Sequence, residues 1–314
     1  MKLKTRNKIE HYLPYGAGLG ISLIFGLSFM FTKTALDTFS PMELIAYRFA
    51  IAAMVITLLV GTRAIRIRFK GKPILPLIVL SFFQPIIYFI CETMGVQLTS
   101  SSQAGMMIAL IPIFVTIMAV IFLGERPNIM QYLAILLSVG GVVFILVFSG
   151  DFAPTGDFLG MIVLMGAVLA GAVYNILSKR YSKMFTPVEI TFVMMWVGAI
   201  VFNLIFIGQQ LMGLAPDQAN LFQLSFSSLL PLLYLGILSS IVAFFMFNYM
   251  ISKIPASRAS VFTNLVTIIA ILAGVIFRHE SFYWYQMVGG IMIIAGVWGS
   301  NFFAEKIDNP KPII

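Results

Sequence analysis

Charge is what this chain most lacks. Asp, Glu, Lys and Arg supply 10% of its 314 residues, while hydrophobic types supply 60%. Soluble domains carry about 25% charged and roughly 45–50% apolar residues. So few charges cannot coat a globule of this size, which excludes a soluble enzyme. One cysteine, Cys91, excludes a disulfide scaffold and reads as a buried, inert thiol. The 25 Gly follow no period and the 29 Phe are far too many for a disordered chain, so collagen-like and disordered classes go as well. The two histidines, His11 and His279, form no zinc cluster. Neither a Gly-x4-Gly-Lys-Ser/Thr loop nor a Gly-x-Ser-x-Gly elbow occurs. No catalytic set, metal or cofactor is therefore expected.

Long apolar runs are what is there. A bilayer core about 30 Å thick needs roughly 20 residues at 1.5 Å rise. Ten such runs fall near 14–33, 42–61, 73–95, 101–123, 129–148, 158–178, 188–209, 228–250, 259–277 and 284–303. They are too long and too uniformly apolar for β-barrel strands. The expected fold is an all-α membrane protein with ten transmembrane helices in a lipid bilayer. Its first helix is read as retained rather than cleaved.

Orientation follows from Lys and Arg in alternate connections. Of the 20, seventeen fall in the set containing the N-terminus, Lys33 and Arg278 fall opposite, and Arg48 lies within the second run. Both termini are expected in the cytoplasm, the chain being multi-pass in the plasma or inner membrane. The net charge of +8 then reads as an insertion signal, not a nucleic-acid footprint.

The chain also matches itself. Phe39-Ser40-Pro41-Met42-Glu43-Leu44 aligns with Phe185-Thr186-Pro187-Val188-Glu189-Ile190, and Lys33 with Lys179. Further on, Ser102, Glu125, Gln131 and Gly141 align with Ser257, Glu280, Gln286 and Gly296. The expected units are 14–148 and 158–303, five helices each. An odd number of helices turns the second copy upside down, the arrangement that underlies alternating access.

These halves resemble the drug/metabolite transporter superfamily, and within it the EamA type. The resemblance rests on Pro41-Met42-Glu43 and Pro187-Val188-Glu189 after the first helix of each half, and on the turns Gly124-Glu125-Arg126-Pro127 and Arg278-His279-Glu280 after the fourth. The second turn lacks the Gly, and Thr267 stands where the first half has Pro112. The resemblance spans roughly 14–303. It implies secondary active metabolite transport, usually efflux, through a cavity lined mainly by helices other than the fifth and tenth.

Polar residues at membrane depth are the candidates for substrate contact. Arg48 suits a carboxylate or phosphate through its planar fork; the alternative is that it snorkels outward and pairs with Glu43. Glu92 is the acid well inside a run, placed to pair with Arg48 and to act as the proton-coupling group, or else to form a static ion pair. Gln84, Tyr88 and Glu92 recur every four residues, which predicts one helix face. Gln103, Tyr174, Asn175, Asn248, Thr263 and Asn264 complete the set, each with interhelical hydrogen bonding as its alternative. Met106, Met107 and Phe262 are placed to face an apolar cargo. Glu125 and Glu280 are expected to cap the helix that follows each. Gly140, Gly141, Gly289 and Gly290 allow close packing, within the chain or in a homodimer.

The expected function is export of a small amino acid-like or amphipathic metabolite by proton-coupled alternating access. An uptake permease of the same fold is the alternative. A receptor or lipid-modifying enzyme would need a sensor or catalytic cluster that the sequence does not display.

Overall fold

The computed structural model describes residues 2–123, 128–148, 156–214, 225–253 and 256–305, and these contain helices and no strand. Ten rods follow one another: α1 (Lys2–Ala35), α2 (Pro41–Gly61), α3 (Leu75–Leu98), α4 (Ser101–Ile108 and Ile111–Leu123), α5 (Ile129–Phe148), α6 (Gly156–Tyr181), α7 (Pro187–Leu211), α8 (Phe226–Lys253), α9 (Ala256–Arg278) and α10 (Trp284–Glu305). Seven of them, α1–α4 and α6–α8, are long and apolar enough over their described residues to cross a membrane. The described apolar stretches of α5, α9 and α10 are shorter.

Helix starts are written locally. Ser40 and Thr186 each form a capping box with the Glu three residues on, behind a Pro at the first helical turn. Ser100 and Gln103 do the same for α4. Pro and paired small residues also break rods. In α3 the backbone widens to a π-type turn over Phe82–Ile87, with Gln84 non-helical beside Pro85. In α8 a π-type stretch runs from Tyr234 to Val242, just after Pro231.

Packing partners exchange in a regular way. α1 packs on α8 and α9, as α6 packs on α3 and α4, while α2 pairs with α7 and α5 with α10. Polar ties show which rod ends lie together. Lys33 Nζ, near the end of α1, donates to the carbonyls of Val96 and Gln97 at the end of α3 (2.8 and 2.9 Å). Lys179, its counterpart near the end of α6, donates to Ile251 O near the end of α8 at 2.6 Å. Arg278 bridges to Asp37 at 3.0 Å on the first side, and Lys72 to Glu189 at 2.6 Å on the second. The C-terminal end of α1 thus lies on one side of the bundle and that of α6 on the other.

The α5–α10 pair is the closest approach the glycines permit. A Cβ at Gly141 would sit 2.6 Å from Gly289 O, and one at Gly289 would sit 2.7 Å from Gly141 O. These glycines are therefore used within the chain. Glu125 lies outside the described residues, but Glu280 corrects an expectation. It does not cap α10, whose start is capped by Gln286 accepting from Tyr283 N–H at 3.0 Å. Instead Glu280 accepts from the backbone N–H and hydroxyl of both Ser101 and Ser102 (2.6–3.0 Å), seating the α9–α10 connection on the first turn of α4.

Burial pushes the Glu280 carboxyl up, but those four hydrogen bonds outweigh it and hold the group below its ordinary value. A depressed folded-state pKa gives stability that is full above the unfolded carboxylate value and lost as pH falls through the folded one. Melting of the detergent-solubilised protein is expected to drop with acidification across that window, and Glu280→Gln to flatten the drop. An unchanged pH profile in the variant would refute this role.

Candidate functional site

Two polar clusters lie inside the bundle, and both are built from rods that cross beside the breaks in α3 and α8. The first is charged. Arg48 comes seven residues after Pro41, so it lies about 10 Å along α2 from that rod's start. It is 2% exposed, although a central Arg costs at least ~2.5–3.5 kcal/mol on insertion scales. Its partners explain how it is held. Nε donates to Ser240 Oγ at 2.8 Å and Nη2 to Ser239 Oγ at 3.0 Å, both on the π-type stretch of α8. The guanidinium carbon lies 4.3 Å from the centroid of the Phe89 ring. Two hydroxyls and a ring solvate the cation without neutralising it.

Glu92, 3% exposed, is the buried acid close enough to Arg48 to interact with it electrostatically. Its carboxylate accepts from Thr93 Oγ1 at 3.2 Å. The expected Arg48–Glu92 and Arg48–Glu43 pairings are thus corrected. The hydrogen-bonding partners of Arg48 among the described residues are serines, and Glu92 is not one of them. The single-face expectation for α3 is corrected too. Gln84, Tyr88 and Glu92 are all buried, but Gln84 (φ −144°, ψ 114°) lies in the break, so only Tyr88 and Glu92 share a helical register.

The second cluster is neutral and lies toward the opposite rod ends. Tyr174 OH donates to Asn248 Oδ1 at 2.7 Å, Ser178 donates to the same oxygen at 2.9 Å, and Asn248 Nδ2 donates to Thr191 Oγ1 at 3.2 Å. Tyr174 OH also reaches Met194 Sδ at 3.3 Å. Met194 is the repeat counterpart of Arg48, so the halves differ where the charge sits. Phe244 of α8 joins the clusters, its ring 6.0 Å from Phe89 and 6.3 Å from Tyr174.

The remaining candidates fall elsewhere. Gln103 is consumed by its capping box and, with Met106 and Met107, borders a small apolar cavity closed by Val142, Ile145, Met161 and Ile293. Asn175 donates to Gly171 O of its own helix at 2.8 Å, a local bond. Phe262 packs against α1, where a Cβ at Gly18 would touch its ring at 2.6 Å. The side chains of Thr263 and Asn264 lie outside the described residues. Sequence reasoning missed Ser239, Ser240, Ser178 and Thr191. The Ser239-Ser240 pair, two hydroxyls inside a long apolar run, is the signal for the first two.

A bundle of long apolar rods, broken at midlength around a buried cation and acid, is the architecture of a multi-pass membrane protein. The EamA-like transporter family matches this chain twice, over residues 13–147 and 158–302, and the chain belongs to that family. Its relatives agree. It is 35% identical to "Uncharacterized transporter YcxC" of Bacillus subtilis (strain 168), across 93% of this chain and 94% of the relative. It is 27% identical to an "Uncharacterized transporter" of Archaeoglobus fulgidus, across 89% and 96%. It is 25% identical to the "Probable terminal-alkyne amino-acid exporter" of Streptantibioticus cattleyicolor, across 84% and 85%. A solved crystal structure at 18% identity shares the fold with a TM-score of 0.67, covering 93% of this chain and 98% of the other.

Proposed function

We propose that the chain is a proton-coupled exporter of a small amino acid-like or amphipathic metabolite. It works by alternating access, with all ten rods crossing the membrane as two inverted five-helix halves and both termini in the cytoplasm. The observation that carries this reading is Arg48, buried and held by neutral hydroxyls instead of a bonded carboxylate. A guanidinium so held keeps its charge available for a substrate carboxylate, which it binds through a planar fork. Glu92, bonded among the described residues to Thr93 and near enough to feel Arg48, serves as the proton carrier. With the substrate carboxylate at Arg48, the ionised Glu92 holds the ammonium of an amino acid-like substrate, and protonation of Glu92 releases it, so proton entry is exchanged for substrate exit. The opposed ends of α1 and α6, and the exchange of packing partners between halves, support the inverted arrangement. The similarity to an amino-acid exporter supports the substrate class.

Proteoliposomes containing the full chain provide the test. A pH gradient is expected to drive accumulation of radiolabelled amino acids by the wild type. Glu92→Gln is expected to abolish the gradient's effect while leaving downhill exchange. Gradient-driven uptake that survives in Glu92→Gln would remove Glu92 from the coupling step.

A further inference from the structure

The connection between α2 and α3, residues 62–74, carries Arg63, Arg66, Arg68, Lys70 and Lys72 and no acid. Its exposure alternates. Arg66, Arg68 and Lys70 are exposed, whereas Ile65, Ile67 and Phe69 between them are half-buried. Phe69 faces inward, its ring 6.3 Å from that of Phe192 on α7. The backbone is tied down as well: Arg68 N–H donates to Glu189 Oε1 at 3.0 Å and Lys72 Nζ to Oε2 at 2.6 Å. Glu189, the acid set against this segment, is thereby occupied. The side chains of Arg66, Arg68 and Lys70 make no hydrogen bond or ion pair among the described residues. Alternate side chains of an extended run lie on one face about 7 Å apart. The result is a fixed row of three cations aimed away from the bundle.

The row sits where α2 and α3, both candidate spans, leave the membrane. Leu58 and Leu75, beside it on the two rods, are exposed apolar side chains at 63% and 68%. Cations bordering exposed apolar surface match a molecule with an anionic head and a hydrocarbon tail. We propose that Arg66, Arg68 and Lys70 bind the phosphate headgroups of anionic phospholipids. The inference requires only that this connection meets a membrane surface, so it stands apart from any transported compound.

Native mass spectrometry of the full chain, titrated with phosphatidylglycerol or phosphatidylcholine, tests it. The triple variant Arg66→Gln/Arg68→Gln/Lys70→Gln is compared with Arg180→Gln/Lys183→Gln/Lys253→Gln. The latter removes three exposed cations from the same side of the bundle. At roughly fivefold per surface charge, the first variant is expected to lose about a hundredfold in phosphatidylglycerol affinity. The second, whose cations lie outside the row, is expected to lose less than about fivefold, the worth of a single surface charge. Circular dichroism establishes that both remain folded. Equal losses in the two variants would mean that net charge alone attracts the lipid and would overturn the proposal. So would wild-type binding of phosphatidylcholine as tight as that of phosphatidylglycerol. Displacement of the lipid by inorganic phosphate would instead assign the row to a soluble anion.

Discussion

Replacing Arg48 with alanine is expected to lower substrate kcat/KM by about 10- to 100-fold, the equivalent of ~1.5–3 kcal/mol for a charge-assisted hydrogen bond. The loss follows from the proposed role of Arg48 in holding the substrate carboxylate. Stability is expected to move little. Removing the cation ends its desolvation cost, Glu92 left without it is relieved by taking up a proton, and the hydroxyls of Ser239 and Ser240 can turn back to carbonyls of their own helix. The melting temperature should hold or rise while transport fails, an opposition that a merely structural arginine would not produce. Arg48→Lys gives the finer test. An ammonium keeps the charge but cannot reach both Ser239 and Ser240 while stacked on Phe89, so only partial recovery is expected. Concentration-dependent flux into proteoliposomes and thermal melting in detergent check both variants. Equal loss of stability and transport in Arg48→Ala would assign the residue to the scaffold.

The second large effect is expected at Gly141. A side chain there meets the Gly289 carbonyl at 2.6 Å and Met292 Cβ at 2.9 Å. Backbone cannot swing aside as a flexible side chain can, so α5 and α10 must separate. Gly141→Leu is expected to cost about 3 kcal/mol, the upper end for overpacking. The neighbouring Gly140 is the control. Its Cβ would meet only the flexible end of Met292 at 3.7 Å, and Gly140→Leu is expected to be tolerated. If both variants melt alike, the close α5–α10 contact does not carry the stability assigned to it.

Much of the fold was legible because the signals were local. Each helix start with a Ser or Thr before Pro-x-Glu became a capping box, since partners three residues apart meet in any helix. The breaks at Pro85 and after Pro231 are local too, each set beside a residue that cannot donate to the helix ladder. The π-type turn in α3 shows why periodicity failed there. Spacing of four places residues on one face only while the helix is regular, and Gln84 is not helical. The buried polar clusters were half legible. Arg48 and Glu92 stood out because charge at membrane depth is expensive, whereas Gln103 and Asn175 proved to serve local backbone bonds.

The sequence by itself determined the class, the ten helical rods and the family, because the cost of burying polar groups in lipid acts on each run of about 20 residues separately. Only the tertiary structure decided who meets whom. Arg48 found serines 191 and 192 positions away, and Glu280 found the start of α4 rather than of α10. The reason is physical. A rod that is apolar on every face carries no stripe to fix its rotation, so close packing between helices decides which polar groups turn toward one another.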